Sequence, residues 1–217
     1  MPPPISTSER VYLELRDRVM CGKLAPGDRL VQRQLASSLG VSTIPIIEAT
    51  RRLESDGLVV SYPNWGAQVR TWTDQDTEDA YLAREALEGV ACRLFAERAG
   101  RVERTQLGAL VQMYHDAAIQ RDSLASTEAD VALHNHIVHS TSSSTLIRLV
   151  ESSCILTATL FNARIRAASA NIQADPNVHE TLFDALTDGD PEEAERQGRA
   201  HVREAYAKLA AIKSNGG

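Results

Sequence analysis

The sequence lacks the usual features of secreted and membrane proteins. No run of about 18 apolar residues occurs in the chain, which argues against a membrane-spanning helix. The first ten residues, MPPPISTSER, contain no apolar signal core, so secretion is not expected. Three scattered cysteines form no CxxC pair, and their odd number argues against a disulfide framework. We therefore expect a cytoplasmic protein without a membrane partner.

Two common catalytic signatures are missing as well. The chain has no glycine-rich phosphate loop and no G-x-S-x-G nucleophile elbow. The serine- and threonine-rich stretch at 140–145 is typical of a connection between helices, with capping residues, rather than of a nucleophile cluster. Hydrophobic residues make up 43% of the sequence and charged residues 24%, which is enough for a buried core.

Positive charge is scarce, and it is unevenly distributed. The net charge is −6, but residues 1–73 hold nine Lys and Arg against seven Asp and Glu and so carry +2. Residues 74–217 carry −8. A mildly basic N-terminal part on an acidic remainder fits a DNA-binding module joined to a domain that stays off DNA. Because the basic surplus is small, it only supports this interpretation.

Residues 1–73 show the pattern of a winged helix-turn-helix domain. Two short helices meet at Gly40-Val41-Ser42, where glycine tolerates the positive φ that a tight turn needs. Two alternating segments around the turn at 63–66 predict a β-hairpin, the wing. The predicted elements are helices over 8–22, 31–39 and 43–55, the last capped by Ser42, and strands over 58–62 and 67–71.

Residues 74–217 show helical periodicity and no further convincing strand. The fold class is therefore mainly α, with an N-terminal winged helix-turn-helix followed by an all-α helical-bundle domain. The boundary is expected at Thr71–Asp74, where alternation gives way to helical spacing. The predicted helices cover about 76–100, 104–122, 126–140, 144–168, 176–188 and 191–212.

The N-terminal part resembles the DNA-binding domain of the GntR family. The resemblance is carried by LAPGDRL at 24–30, LVQRQLASSLGVSTIPIIEA at 30–49, RRLESDGLV at 51–59 and Gly66-Ala67 in the wing. The acidic helical remainder resembles the FCD ligand domain of FadR-like members. The resemblance implies a homodimer that binds a double-stranded DNA operator and responds to a small carboxylate effector, with repression as the common mode.

The third helix departs from the family pattern on its outward face. Family members usually carry DNA-contacting arginines at the positions of Thr43 and Ile47, whereas Arg33 matches a family contact position. Arginine reads guanine, whereas a methyl-bearing side chain contacts thymine, so readout that leans toward A·T pairs is expected. The alternative is that the isoleucines pack against the wing or a partner domain. The predicted DNA-binding residues are Arg33, Thr43, Ile44, Ile47 and Arg51.

Four residues of the helical part have the spacing of a metal site. Asp130 and His134 are four apart and share a helix face. His179 and His201 lie equally far from residue 190, the centre of a predicted helical hairpin, and so sit level with each other. Three imidazoles and a carboxylate suit Zn²⁺, Ni²⁺ or Mn²⁺. The FCD resemblance implies the same ligand set, although a domain with six histidines can show such pairs by chance.

Arg84 is the candidate effector-binding residue. It borders an apolar helix stripe, and a guanidinium there can hold a carboxylate through two parallel hydrogen bonds. In FCD-like regulators the matching arginine points to the ligand. The alternative is a surface ion pair with Glu88, one helical turn away. Two alternative functions stay open: a metal-dependent enzyme, and a dedicated metal sensor that uses the His₃-Asp site.

Overall fold

The computed structural model describes residues 5–168 and 173–212 and has the predicted class of fold. Its contacts divide the described chain into two compact units. One contains the residues up to Thr77 together with Ile155–Ala163, and the other contains Glu78–Cys154 and the residues from Arg164 onward. The elements are α1 (Thr7–Met20), β1 (Arg29–Leu30), α2 (Gln32–Leu39), α3 (Thr43–Ser55), β2 (Val59–Tyr62), β3 (Gly66–Val69), α4 (Asp74–Arg98), α5 (Arg101–Ile119), α6 (Ser123–Ser140), α7 (Ser144–Ala168), α8 (Glu180–Asp188) and α9 (Pro191–Ala210).

The N-terminal unit is the predicted winged helix-turn-helix. The inward face of α3, which carries Ile46, Ala49 and Leu53, is fully buried. Gly40 ends α2 with φ +64°, the left-handed conformation that the tight turn required. Ser42 occupies the cap position of α3, but its side chain makes no capping hydrogen bond, so that part of the expectation was wrong.

The sheet has one strand more than the sequence predicted. β3 pairs with β2 in the hairpin and with β1 on its other side, so the order is β1-β3-β2 with both pairs antiparallel. β1 has two residues, which is too short to produce an alternating pattern. β3 begins at Gly66, opposite Tyr62, so the loop of the wing is shorter than expected.

The second unit consists of helices in its described part. Its core includes Phe95 of α4, Leu107 of α5, Leu133 of α6 and Leu186 of α8, all almost fully buried. α9 starts as predicted, because the side chain of Asp190 accepts hydrogen bonds from the first-turn amides and proline follows it.

The start of α8 was predicted wrongly. Residues 176–179 form turns, and α8 begins only at Glu180. Asp175 accepts a hydrogen bond from the amide of Asn177 at 3.0 Å, within this turn segment, instead of capping a helix. His179 is therefore the cap residue of α8 and does not lie within a helix.

Among the described residues, α7 is the one helix that is long and apolar enough to cross a membrane by length and composition. The stretch Ser144–Arg166 reaches a mean hydropathy of 1.3, a feature that the sequence inspection passed over. Leu146, Val150 and Cys154 of this helix are buried in the helical core. Ile155 and Leu156 pack against the core of the N-terminal unit. Packing within the protein thus buries 28% of this apolar stretch.

Candidate DNA-binding face and candidate metal site

The structure places the predicted DNA-binding residues on an exposed surface. Thr43, Ile44 and Arg51 of α3 are exposed and Ile47 is half-buried, while Arg33 of α2 is exposed as well. Ile44 is 65% exposed, so within this chain it does not pack against the wing, the first of the two possibilities in the alternative. The α3 face is therefore available to an external partner.

Three imidazoles converge in the helical unit. His134 comes from α6, His179 from the cap of α8 and His201 from α9. One ring nitrogen from each lies within 4.8 Å of the others, and His179 and His201 have ring centroids 4.9 Å apart. The hairpin of α8 and α9 therefore brings together two histidines that are far apart in sequence, as their spacing about residue 190 predicted.

Asp130 completes this group on its solvent side. Its Oδ1 lies 3.1 Å from Nε2 of His179 and 3.7 Å from Nε2 of His134. Its side chain is 37% exposed, whereas those of His134 and His179 are 3% and 1% exposed. The one carboxylate among the four thus keeps contact with solvent.

The donor atoms fit a divalent cation. Nε2 of His134 and both ring nitrogens of His179 are buried and make no well-aligned hydrogen bond in the described structure, although Asp130 lies within ion-pair distance of His179. Buried polar atoms rarely stay unsatisfied, and a cation would satisfy one nitrogen of each ring. Three nitrogens with one oxygen form the kind of set that first-row transition metals accept.

Glu88 of α4 is a site residue that the sequence inspection missed. Its Oε2 lies 2.8 Å from Nδ1 of His134, which turns Nε2 of the same ring toward Asp130 and the other imidazoles. Its Oε1 accepts a hydrogen bond from Nε of Arg84 at 2.5 Å. Such a carboxylate fixes both the orientation and the tautomer of a metal-binding histidine. The sequence did offer a signal, because Glu88 lies one helical turn from Arg84. It was considered only as a surface partner of that arginine.

Arg84 and Glu88 form the ion pair that the alternative described, but the pair does not lie on the surface. Arg84 is 8% exposed and Glu88 3%. The sequence alternative was therefore right about the partner and wrong about its environment. Burial raises the pKa of Glu88, but Arg84 and His134 outweigh burial and hold that pKa below its usual value. The pair remains charged.

Electrostatic interactions shift the pKa values of His134 and His201 in opposite directions. Burial lowers the pKa of His134, but the carboxylates of Glu88 and Asp130 outweigh it and raise the pKa to about 9. Burial lowers the pKa of His201 to about 3, with the neighbouring imidazoles acting in the same direction. His136 and His139 bond elsewhere, to the carbonyl of Glu103 and the carboxylate of Glu151, each at 2.8 Å.

Comparison with known proteins finds two family matches along the chain. Residues 7–69 match the gntR family of bacterial regulatory proteins, and residues 79–204 match the FCD domain. The probable D-xylose utilization operon transcriptional repressor of Paenarthrobacter nicotinovorans is 31% identical over 217 residues, covering 97% of this chain and 93% of the relative. The chain belongs to the GntR family. It is a FadR-like member, in which an FCD domain follows the DNA-binding domain.

Two further similarities cover most of the chain. The gluconate operon transcriptional repressor of Bacillus licheniformis is 29% identical over 148 residues, covering 66% of this chain and 59% of the relative. The solved structure of E. coli McbR/YncC has a TM-score of 0.81 at 21% identity and covers 95% of this chain and 98% of that one. At this identity the structural likeness supports the fold alone.

Membership of the GntR family assigns the general activity. The protein is a DNA-binding transcription regulator, since its helix-turn-helix belongs to that family and curated relatives are named as repressors. Those names point to a regulator and not to an enzyme.

Proposed function

We propose that this GntR regulator is a cytoplasmic homodimer whose operator affinity is controlled by a small organic acid bound at a metal site in the FCD domain. One observation carries the proposal: three imidazoles converge beside a partly exposed carboxylate, with unsatisfied buried nitrogens between them. The names of the relatives, repressors of D-xylose utilization and gluconate operons, support repression as the mode of action.

The four ligands would be Asp130, His134, His179 and His201, holding Zn²⁺, Ni²⁺ or Mn²⁺. When bound, the ion supplies a Lewis-acidic position for an oxygen of the effector. These residues come from α6, α9 and the cap of α8, so they would link separate parts of the FCD domain. The partly exposed side of the site, at Asp130, is where the effector would enter.

The charges of the site favour an anionic effector. Arg84 is cationic and holds Glu88 ionised, and Asp130 would be ionised as a metal ligand. With the imidazoles neutral, as ligation requires, these three side chains carry one net negative charge. A divalent ion would reverse that sign, so a carboxylate would complete the balance. A neutral sugar would leave the buried positive charge unpaired.

Arg84 is the proposed partner of the effector carboxylate, alongside its pairing with Glu88. Its Nε donates to Glu88, and the guanidinium would hold the effector carboxylate alongside that pair. The same side chain would then connect the effector with Glu88, and through it with His134. This connection would let acid binding and the geometry of the metal site depend on each other.

Operator binding in the presence of organic acids tests the function. The operator is first obtained by selection from genomic fragments, and its affinity is then measured with a panel of small acids and matching neutral sugars. At least one acid should change the affinity by about 5–150-fold, the usual range of allosteric coupling. The change should disappear in chelator-treated protein. An unchanged affinity across acids and sugars, with ions alone changing it, would instead make the protein a metal sensor.

Calorimetry tests the role of Arg84 separately. An acid found in that panel should bind Arg84→Ala more weakly than wild type, and Arg84→Lys should fall between the two because it keeps charge but loses the planar fork. Equal binding by all three proteins would restrict Arg84 to holding Glu88.

A further inference from the structure

The two most buried imidazoles of the candidate metal site are held in different ways. His134 is oriented by a carboxylate, because Oε2 of Glu88 lies 2.8 Å from its Nδ1. His179 is 1% exposed, and neither of its ring nitrogens makes a well-aligned hydrogen bond in the described structure. Asp130 lies 3.1 Å from its Nε2, but that carboxylate is itself a proposed ligand. A contact of another kind must therefore set the orientation of the His179 ring.

Tyr114 of α5 packs against the ring of His179. The two rings meet edge to face at 87°, with centroids 4.4 Å apart, and Tyr114 is buried. Aromatic rings prefer this arrangement, in which the edge of one ring meets the face of the other. Rotation of the imidazole about its side-chain bonds would break the contact. The tyrosine therefore restrains the ring of His179, much as Glu88 restrains that of His134.

The same tyrosine belongs to the core that supports the backbone of His179. This histidine is the cap residue of α8, and the residues before it form turns, so it does not lie on a regular helix. Tyr114 forms a small buried cluster with alanines of α5 and α6, and Val178 packs against this cluster. The turn is closed by the amide of Glu180, which donates to the carbonyl of Asn177 at 3.1 Å. One cluster thus supports both the imidazole and the turn that carries it.

We propose that Tyr114 is a positioning residue of the metal site: its ring sets the orientation of His179, and its cluster fixes the turn before that ligand. The proposal rests on the proposed metal site and adds to it a group that does not touch the ion. The contact is made by the aromatic ring, so phenylalanine should replace Tyr114 without loss. Leucine fills similar space without a ring, so it should leave His179 free to turn away from the other ligands.

Titration with Co²⁺ tests this role, because the visible absorption of the bound ion reports the number and geometry of its ligands. Wild type and Tyr114→Phe should show the same spectrum and the same affinity. Tyr114→Leu should bind Co²⁺ about 10–100-fold more weakly, the usual loss when a group that orients a ligand is removed, and its spectrum should change. Phe95→Leu is the matched control, because Phe95 meets the ring of His136, which is not a proposed ligand, edge to face at 6.1 Å. The control should bind Co²⁺ like wild type.

Hydrogen exchange of the metal-free protein completes the test. The amide of Phe183 donates to the carbonyl of His179 at 2.8 Å, so the amides of residues 178–183 report on the turn and the start of α8. Tyr114→Leu should speed their exchange and leave that of α9 close to wild type. Co²⁺ binding by Tyr114→Leu equal to wild type, or faster exchange spread evenly over the FCD domain, would overturn the proposal. A wild-type protein that binds no Co²⁺ would instead refute the metal site itself and, with it, the positioning role.

Discussion

His134 illustrates how a hydrogen bond to one ring nitrogen orients the other nitrogen of a buried histidine. Glu88 accepts from its Nδ1 at 2.8 Å, so the opposite nitrogen points into the group formed with His179 and His201. Arg84 in turn holds Glu88. At the scale of single residues, the candidate site therefore consists of the four ligands together with Glu88 and Arg84, which orient His134.

Glu88→Gln tests this orientation. The amide keeps the size of the side chain but loses the charge that favours Nδ1–H on His134, so metal affinity should fall about 10–100-fold. The affinity is measured by competition with a chelator, at a temperature where circular dichroism shows the variant folded. Glu85→Gln, on the same helix and facing Arg203, is the matched control and should bind metal like wild type. Equal metal affinity in both variants would show that Glu88 only neutralises Arg84.

The ligands themselves are tested by thermal unfolding. An ion bound only by the folded form stabilises it by about 2.7 kcal/mol at a free concentration 100 times its Kd. A chelator should therefore lower the melting temperature, and Zn²⁺, Ni²⁺ or Mn²⁺ should restore it. His134→Ala and His179→Ala should lose this response. His136→Ala and His139→Ala should keep it, because those rings bond to Glu103 and Glu151. A response that survives in His179→Ala would exclude the proposed ligand set.

At the scale of elements, the close approach of α4 and α9 positions Glu88 relative to His201. Gly198 of α9 faces Cys92 of α4, and a Cβ there would lie 2.6 Å from the sulfur. Gly89 likewise faces the side chain of Arg199. Glycine at these helix positions costs helical propensity, so the packing of the two helices explains why it is tolerated.

Gly198→Ala should therefore destabilise the FCD domain. Overpacking a core position costs about 1–3 kcal/mol, which exceeds the roughly 1 kcal/mol that alanine adds in helix propensity. Gly108→Ala is the control: its Cβ would make an ordinary contact at 3.5 Å with Phe183, so stability should stay or rise. Denaturant unfolding compares the two variants, and Cys92→Ala should rescue the first. Equal stabilisation by both alanines would contradict the packing argument.

The same scale shows what sequence patterns reveal about this fold. Long amphipathic helices such as α5 and α7 were found within a few residues, because their apolar spacing is strong. β1 was missed because it is defined by its partner β3 and not by its own two residues. α8 was started too early because Asp175-Pro176 is compatible with both a helix cap and a turn. The contact of Glu88 with His134 was not predicted, because the burial of Glu88 depends on tertiary packing.

For the whole molecule, the sequence predicts the division of the chain into two parts but not every segment that belongs to each part. The change of pattern near Trp72 led to domains of 1–73 and 74–217, and that boundary remains a prediction. The contacts also group Ile155–Ala163 of α7 with the N-terminal unit. The periodicity of one continuous helix cannot reveal which of its turns pack against which core.

Operator binding by the proposed dimer is tested through Arg33 and Arg51. Each is exposed, and replacement by alanine should weaken binding by about 1–3 kcal/mol if the side chain reads a base, or lower the salt slope by about one if it contacts a phosphate. Arg52→Ala is the control, because that side chain pairs with Glu9 and covers the ring of Tyr12. Binding that is lost in Arg52→Ala and unaffected in the other two variants would place the DNA elsewhere.

Native mass spectrometry of the protein purified without chelator tests the central claim most directly. The mass should correspond to two subunits, each with one first-row transition metal, and an organic acid should be released on denaturation. The His134→Ala and His179→Ala proteins should carry neither. A wild-type protein that is free of metal, takes up none of the three ions and releases no acid would contradict the account. It would leave the four residues as a polar cluster in the core of the FCD domain.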